Sequence, residues 1–124
     1  VEYREAKQLR EQLVTKDTSS VKWLGDVFSA RRRIGNALVA SGDKAAGRDE
    51  LLGAEVLAAE VMIRDHSALD DADLLDLHRK LAELYRGEPK GNDERALALA
   101  IARKRADREP ADEQRAAIVR ELER

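Results

Sequence analysis

Residues 32–57, RRIGNALVASGDKAAGRDELLGAEVL, constrain the fold of this chain more than any other stretch, because they read as two helices folded back on each other. Leu24, Val27, Phe28, Ile34 and Leu38 recur at three-, four- and seven-residue spacings, which gathers apolar side chains on one helical face. Gly42 can close that helix in the left-handed conformation, and Asp43 can accept hydrogen bonds from the first N–H groups of the next. The second helix carries Leu51, Leu52, Ala54, Val56, Leu57, Ala58, Ala59, Val61, Met62 and Ile63. Apolar around most of its circumference, it is expected to be covered on two sides.

Ile34, Gly35, Leu38, Gly42, Asp43, Gly47, Leu51 and Ala54 together resemble the signature of the tetratricopeptide repeat. In that family a large and a small residue pack on the first helix, a Gly-Asp turn follows, and small residues on the second helix allow close approach. Arg31 stands where the family often has Trp, and Gly47 replaces the usual Ala, costing about 1 kcal/mol of helix propensity. The pattern extends both ways. Tyr3, Ala6, Leu9 and Leu13 echo Leu51, Ala54, Leu57 and Val61 at an offset of 48. Leu74, Leu77, His78, Leu81, Ala82 and Tyr85, then a turn at Gly91-Asn92 and Ala96 to Ala102, repeat the central stretch, with Ile34 to Leu81 an offset of 47. This period exceeds the family's about thirty-four residues, which points to longer helices, as in the bacterial and kinesin-light-chain-like forms. The resemblance implies an all-α, right-handed superhelix of antiparallel helix pairs, with about six helices in one domain.

Local signals place the elements. Residues 2–16 read as the second helix of a partial repeat, and Asp17-Thr18-Ser19-Ser20 as a turn that caps the next helix, to Ala40. A third helix runs from Lys44 or Ala45 to Asp65, so that 20–65 forms a full repeat. The second repeat, 70–108, comprises a helix from Asp70 to Arg86, a break at Gly87-Glu88-Pro89-Lys90-Gly91, and a helix from Asp93 to Arg108. Pro110 suits the first turn of a final helix, 110–124, which Ala116, Ile118, Val119 and Leu122 can dock as a cap or as the start of a further repeat. The chain opens in mid-helix without an initiator Met, and the expectation is a fragment of a larger protein.

Composition narrows the function. The 25 acidic and 23 basic residues leave a net charge of -2, which gives no general pull toward nucleic acid or an anionic membrane. Arg31-Arg32-Arg33 cannot face one phosphate line, because successive helical residues turn by about 100°. Without cysteine there are no disulfides, thiolate nucleophiles or Cys-based zinc sites. No apolar run approaches the roughly 18 residues of a membrane span, and the start lacks a signal-peptide core, so a cytoplasmic setting is expected. The Ala-, Arg-, Leu- and Asp-rich composition suits a bacterial source.

Catalytic and metal motifs are missing. The serines lie in turns or on helix surfaces without a nucleophile's surroundings, and GDKAAGR lacks the Gly-Lys-Ser/Thr ending of a phosphate loop. His66 and His78, with Asp70, Asp71, Asp73 and Asp76 between them, show no metal-ligand spacing, and His78 falls on the stripe of Leu74, Leu81 and Tyr85, as a packed histidine would. Neither an enzyme nor a cofactor is expected.

The family resemblance makes the binding residues specific. It implies a concave groove lined by the first helix of each pair, at Ser29, Arg32, Asn36 and Val39, then at Asp76, Arg79, Glu83 and Arg86. Arg32 and Asn36, one turn apart, could hold a peptide carboxylate through charge-assisted hydrogen bonds, with Glu83 opposing a second. The expected function is a scaffold that grips another protein, as an acidic peptide or a helix. The alternative is a self-assembly module, for instance a homodimer, which an exposed apolar strip would favour.

Overall fold

The computed structural model describes residues 20–124, and among these every regular element is an α-helix. The expected helix over residues 2–16 lies outside the described residues. The chain divides between Asp70 and Asp71 into two units. No described helix is long and apolar enough to cross a membrane.

In the first unit, α1 (Val21–Ala40) is capped by the Ser20 hydroxyl, which accepts from the Trp23 N–H at 3.2 Å, and α2 (Lys44–Arg64) by Asp43, which accepts from the Ala46 N–H at 3.2 Å. Gly42 joins them at φ 96, the left-handed conformation the sequence assigns to it. The helices run antiparallel at close range. A Cβ on Gly35 would lie 2.7 Å from Leu51 Cγ, and one on Gly47 would lie 2.5 Å from Val39 Cγ2 and 2.8 Å from the Gly35 carbonyl oxygen. Only glycine lets these backbones approach so far. Around this contact Phe28, Ile34, Leu51, Ala54 and Val61 are buried, and Arg31 lays its guanidinium across Gly53. Beyond α2, Asp65 accepts from the Ser67 hydroxyl and N–H, which hold its carboxyl below the usual carboxylate range.

The all-round apolar sequence of α2 is not matched by all-round cover. Leu51, Ala54, Ala58 and Val61 face the core, but on the opposite side Val56 is 69% exposed and Ile63 86%. Ala45 and Ala59 are exposed on the same outer face.

The second unit has three helices, α3 (Asp71–Leu84), α4 (Pro89–Arg108) and α5 (Glu113–Glu123). Here the structure corrects three boundaries. The turn lies at Gly87, φ 89, and not at Gly91-Asn92. Helix α4 starts at Pro89, a turn earlier than Asp93, because the fixed φ of proline and its missing donor suit the first helical position. Pro110 sits outside α5, whose first N–H groups are accepted by Asp112: Gln114 at 3.0 Å and Arg115 at 3.2 Å. A single carboxylate that meets two orphan donors fixes the start of this helix.

The correction at Gly91 reveals how alike the two hairpins are. Buried Val27, Phe28, Ala30 and Ile34 of α1 recur 47 residues later as buried Leu74, Leu75, Leu77 and Leu81 of α3. Buried Gly47, Glu50, Ala54 and Ala58 of α2 recur 44 residues later as buried Gly91, Glu94, Ala98 and Ala102 of α4. The registers differ because α3 stops at Leu84, short of the counterpart of Ala40, so Gly87 takes the place of Gly42 and Gly91 that of Gly47. A Cβ on Gly91 would run into the Tyr85 carbonyl oxygen, so this glycine, like Gly47, stands against backbone, here that of the turn after α3.

Helix α5 packs on α4 through Leu122, which joins Leu75, Ala98 and Ala102 in a small core flanked by Leu99, Ile101, Ile118 and Val119. Charged groups complete the attachment. Arg115 donates to the Arg105 carbonyl at 2.9 Å, Arg95 to the Leu122 carbonyl at 2.7 Å, and Arg103 to Glu123 at 2.9 Å.

Candidate functional site

The second unit contains a groove of about 500 Å³. Its wall is α3, its floor the first turns of α4, and its far rim the end of α5. Spacing on α3 decides what it shows. Asp76, Arg79 and Glu83 are three and four residues apart, so all three project from one helical face. They and Arg86 line the groove, as do Lys80 and, from α4, Arg95. Arg86 stands in the turn after α3 and not on the helix, because α3 ends at Leu84.

Several of these charges are already engaged. Arg79 donates to Glu121 at 3.1 Å, and Arg95 is occupied by the Leu122 carbonyl. Lys80, Glu83 and Arg86 make no ion pair among the described residues. Over its whole lining, Arg79, Lys80, Arg86, Arg95 and Arg124 outnumber Asp76, Glu83 and Glu121, so the groove carries a cationic excess suited to an acidic ligand.

In the first unit Ser29, Arg32, Asn36 and Val39 share one strip of α1, spanning roughly 80° of the helical circumference. All four are half-buried. The site residues of the sequence therefore form two stripes of equal spacing, and the second stripe opens onto a groove within its own unit.

A second polar cluster lies inside the α3–α4 hairpin. Glu94 is 2% exposed, with His78 Nδ1 2.7 Å from Oε2 and Lys90 Nζ 3.2 Å from Oε1. An ionised carboxylate only accepts, so with Glu94 ionised His78 carries its proton on Nδ1. Lys90 also sits 5.7 Å from the centre of the Tyr85 ring. His78 is thus half-buried as a packed residue, but its close partner is a carboxylate as well as the apolar stripe.

Sequence reasoning missed Lys80, Arg95 and Glu121 in the groove and the buried Glu50 and Glu94. A signal for the carboxylates was present. Gly47-Arg48-Asp49-Glu50 and Gly91-Asn92-Asp93-Glu94 share the pattern Gly-x-Asp-Glu. Reading Gly91-Asn92 as a turn removed the glycine that sets this register. Compared with models of protein families, with curated proteins and with solved structures, the chain finds no match.

Proposed function

We propose that this chain is a protein-binding scaffold of tetratricopeptide-like hairpins whose groove on α3 takes an acidic peptide segment. One observation carries the reading: Arg79, Glu83 and Arg86, which the family resemblance implies as ligand contacts, line one groove together with Lys80 and Arg95. The equal spacing of the α1 stripe, Ser29, Arg32, Asn36 and Val39, supports the same role for it.

The test is fluorescence anisotropy with a labelled hexaglutamate peptide and its glutamine counterpart. Wild type should prefer the acidic peptide, and Arg86→Glu should weaken that binding about fivefold, the effect of about 1 kcal/mol from one exposed charge contact. Equal binding of both peptides would end the acidic-ligand reading.

A specific observation keeps self-assembly as a second reading. The outer face of α2 exposes Val56, Ala59 and Ile63, whereas the 44-residue register places Ala100, Arg103 and Asp107 at the matching positions of α4. The hairpin itself therefore does not require an apolar outer face. Under the self-assembly reading, light scattering over a concentration series finds a dimer, and Ile63→Lys returns a monomer because the substitution places a charge in the paired face. A wild-type monomer at every concentration would remove this reading and leave the groove.

A further inference from the structure

The groove holds an ion pair that a ligand would have to replace. Arg79, the middle member of the α3 stripe, faces Glu121 Oε2 at 3.1 Å, and Glu121 comes from the last turn of α5. The group that lies against Arg79 is thus a side-chain carboxylate from a short helix. We propose that Glu121 is an internal stand-in for the carboxylate of the acidic ligand, so that α5 latches over the groove and its last turn is displaced when that ligand binds.

This inference rests on the groove-binding reading and adds a competitor to it. Three observations support it. First, the pair is open to solvent, with the side chains of Arg79 and Glu121 36% and 61% exposed, so an exchange of one carboxylate for another meets no burial penalty. Second, Ile118, Val119 and Arg115 anchor the earlier part of α5, whereas its last turn is held by Leu122 and by charge, from Arg79, Arg95 and Arg103. An end held in this way can shift without unfolding the α3–α4 hairpin. Third, α5 ends Glu121-Leu122-Glu123, so the arginines meet an acidic and apolar segment of the kind the groove would take from a partner.

The experiment compares wild type, Glu121→Gln and Glu123→Gln in the 124-residue chain by anisotropy with labelled hexaglutamate, its C-terminus free or amidated. Glu121→Gln should bind about two- to fivefold more tightly than wild type, because a competing pair of about 0.5–1 kcal/mol is gone. Glu123→Gln breaks the Arg103 pair, which lies off the groove, and should leave affinity unchanged. A gain preserved on amidation assigns the displacement to side-chain carboxylates, and a gain lost on amidation assigns it to the peptide terminus; both support the latch. Wild type that binds with no gain in Glu121→Gln overturns the latch and leaves the groove standing, and an equal gain in both variants overturns it as mere loosening of α5. Absence of binding in both wild type and Glu121→Gln removes the groove reading and the latch with it. Hydrogen exchange on wild type supplies a readout free of mutation: the Glu121 and Leu122 amides should exchange faster with peptide bound, and unchanged exchange at saturation contradicts displacement.

Discussion

His78→Ala should destabilise the second unit by about 3 kcal/mol, the scale on which a buried carboxylate feels the loss of a hydrogen-bond partner. Glu94 is 2% exposed and His78 12%, so water cannot readily replace the imidazole at 2.7 Å. The substitution removes a 2.7 Å partner from a carboxylate in the hairpin interior, to which Lys90, itself 40% exposed, also lies at 3.2 Å. Denaturant unfolding of the full chain measures the loss directly. The same substitution made beside Glu94→Leu should cost much less, since an apolar pair no longer has a charge to solvate. A loss below about 1 kcal/mol in the single variant would mean that the pair is structurally idle.

Gly47→Val gives the second large effect, about 3 kcal/mol, and its sign opposes helix propensity. Valine is the better helix former by roughly half a kcal/mol. Yet its Cβ would meet Val39 Cγ2 at 2.5 Å, the Gly35 carbonyl oxygen at 2.8 Å and the Val39 nitrogen at 3.0 Å. Two of these are backbone atoms, which yield only if α1 and α2 separate, and overpacking of this kind costs about 1–3 kcal/mol or more. Gly53→Ala makes the control. Its Cβ meets the end of the flexible Arg31 side chain, which can swing away, so the variant should match or exceed wild-type stability. If both substitutions behave alike in thermal unfolding, close approach at Gly47 is not what holds the hairpin.

Much of this fold was legible because local rules agreed with one another. Apolar spacing, Gly42 and Asp43 defined the first hairpin, and Ser20 its entry, all within a residue or so of the observed bounds. Where two rules competed, the reading slipped. Pro89 and Gly91 both look like helix breakers, and only the close passage of α4 beneath the Tyr85 carbonyl shows that the glycine belongs inside the helix. The groove divided in the same way. Asp76, Arg79 and Glu83 could be assigned to one face from their spacing, but Arg95 and Glu121 are far from them in sequence and nothing local points to α3.

The sequence alone determined what depends on neighbours along the chain: helical periodicity, the caps, the left-handed glycine at the first turn and the stripes of polar residues. Tertiary structure decided what depends on the distance between helices. It set which apolar face of α2 is buried and which stays open, placed Glu94 against His78, and brought Glu121 to Arg79. Helix periodicity repeats every few residues and is written locally, whereas burial and ion pairing arise only when a second backbone arrives to exclude water or supply the opposite charge.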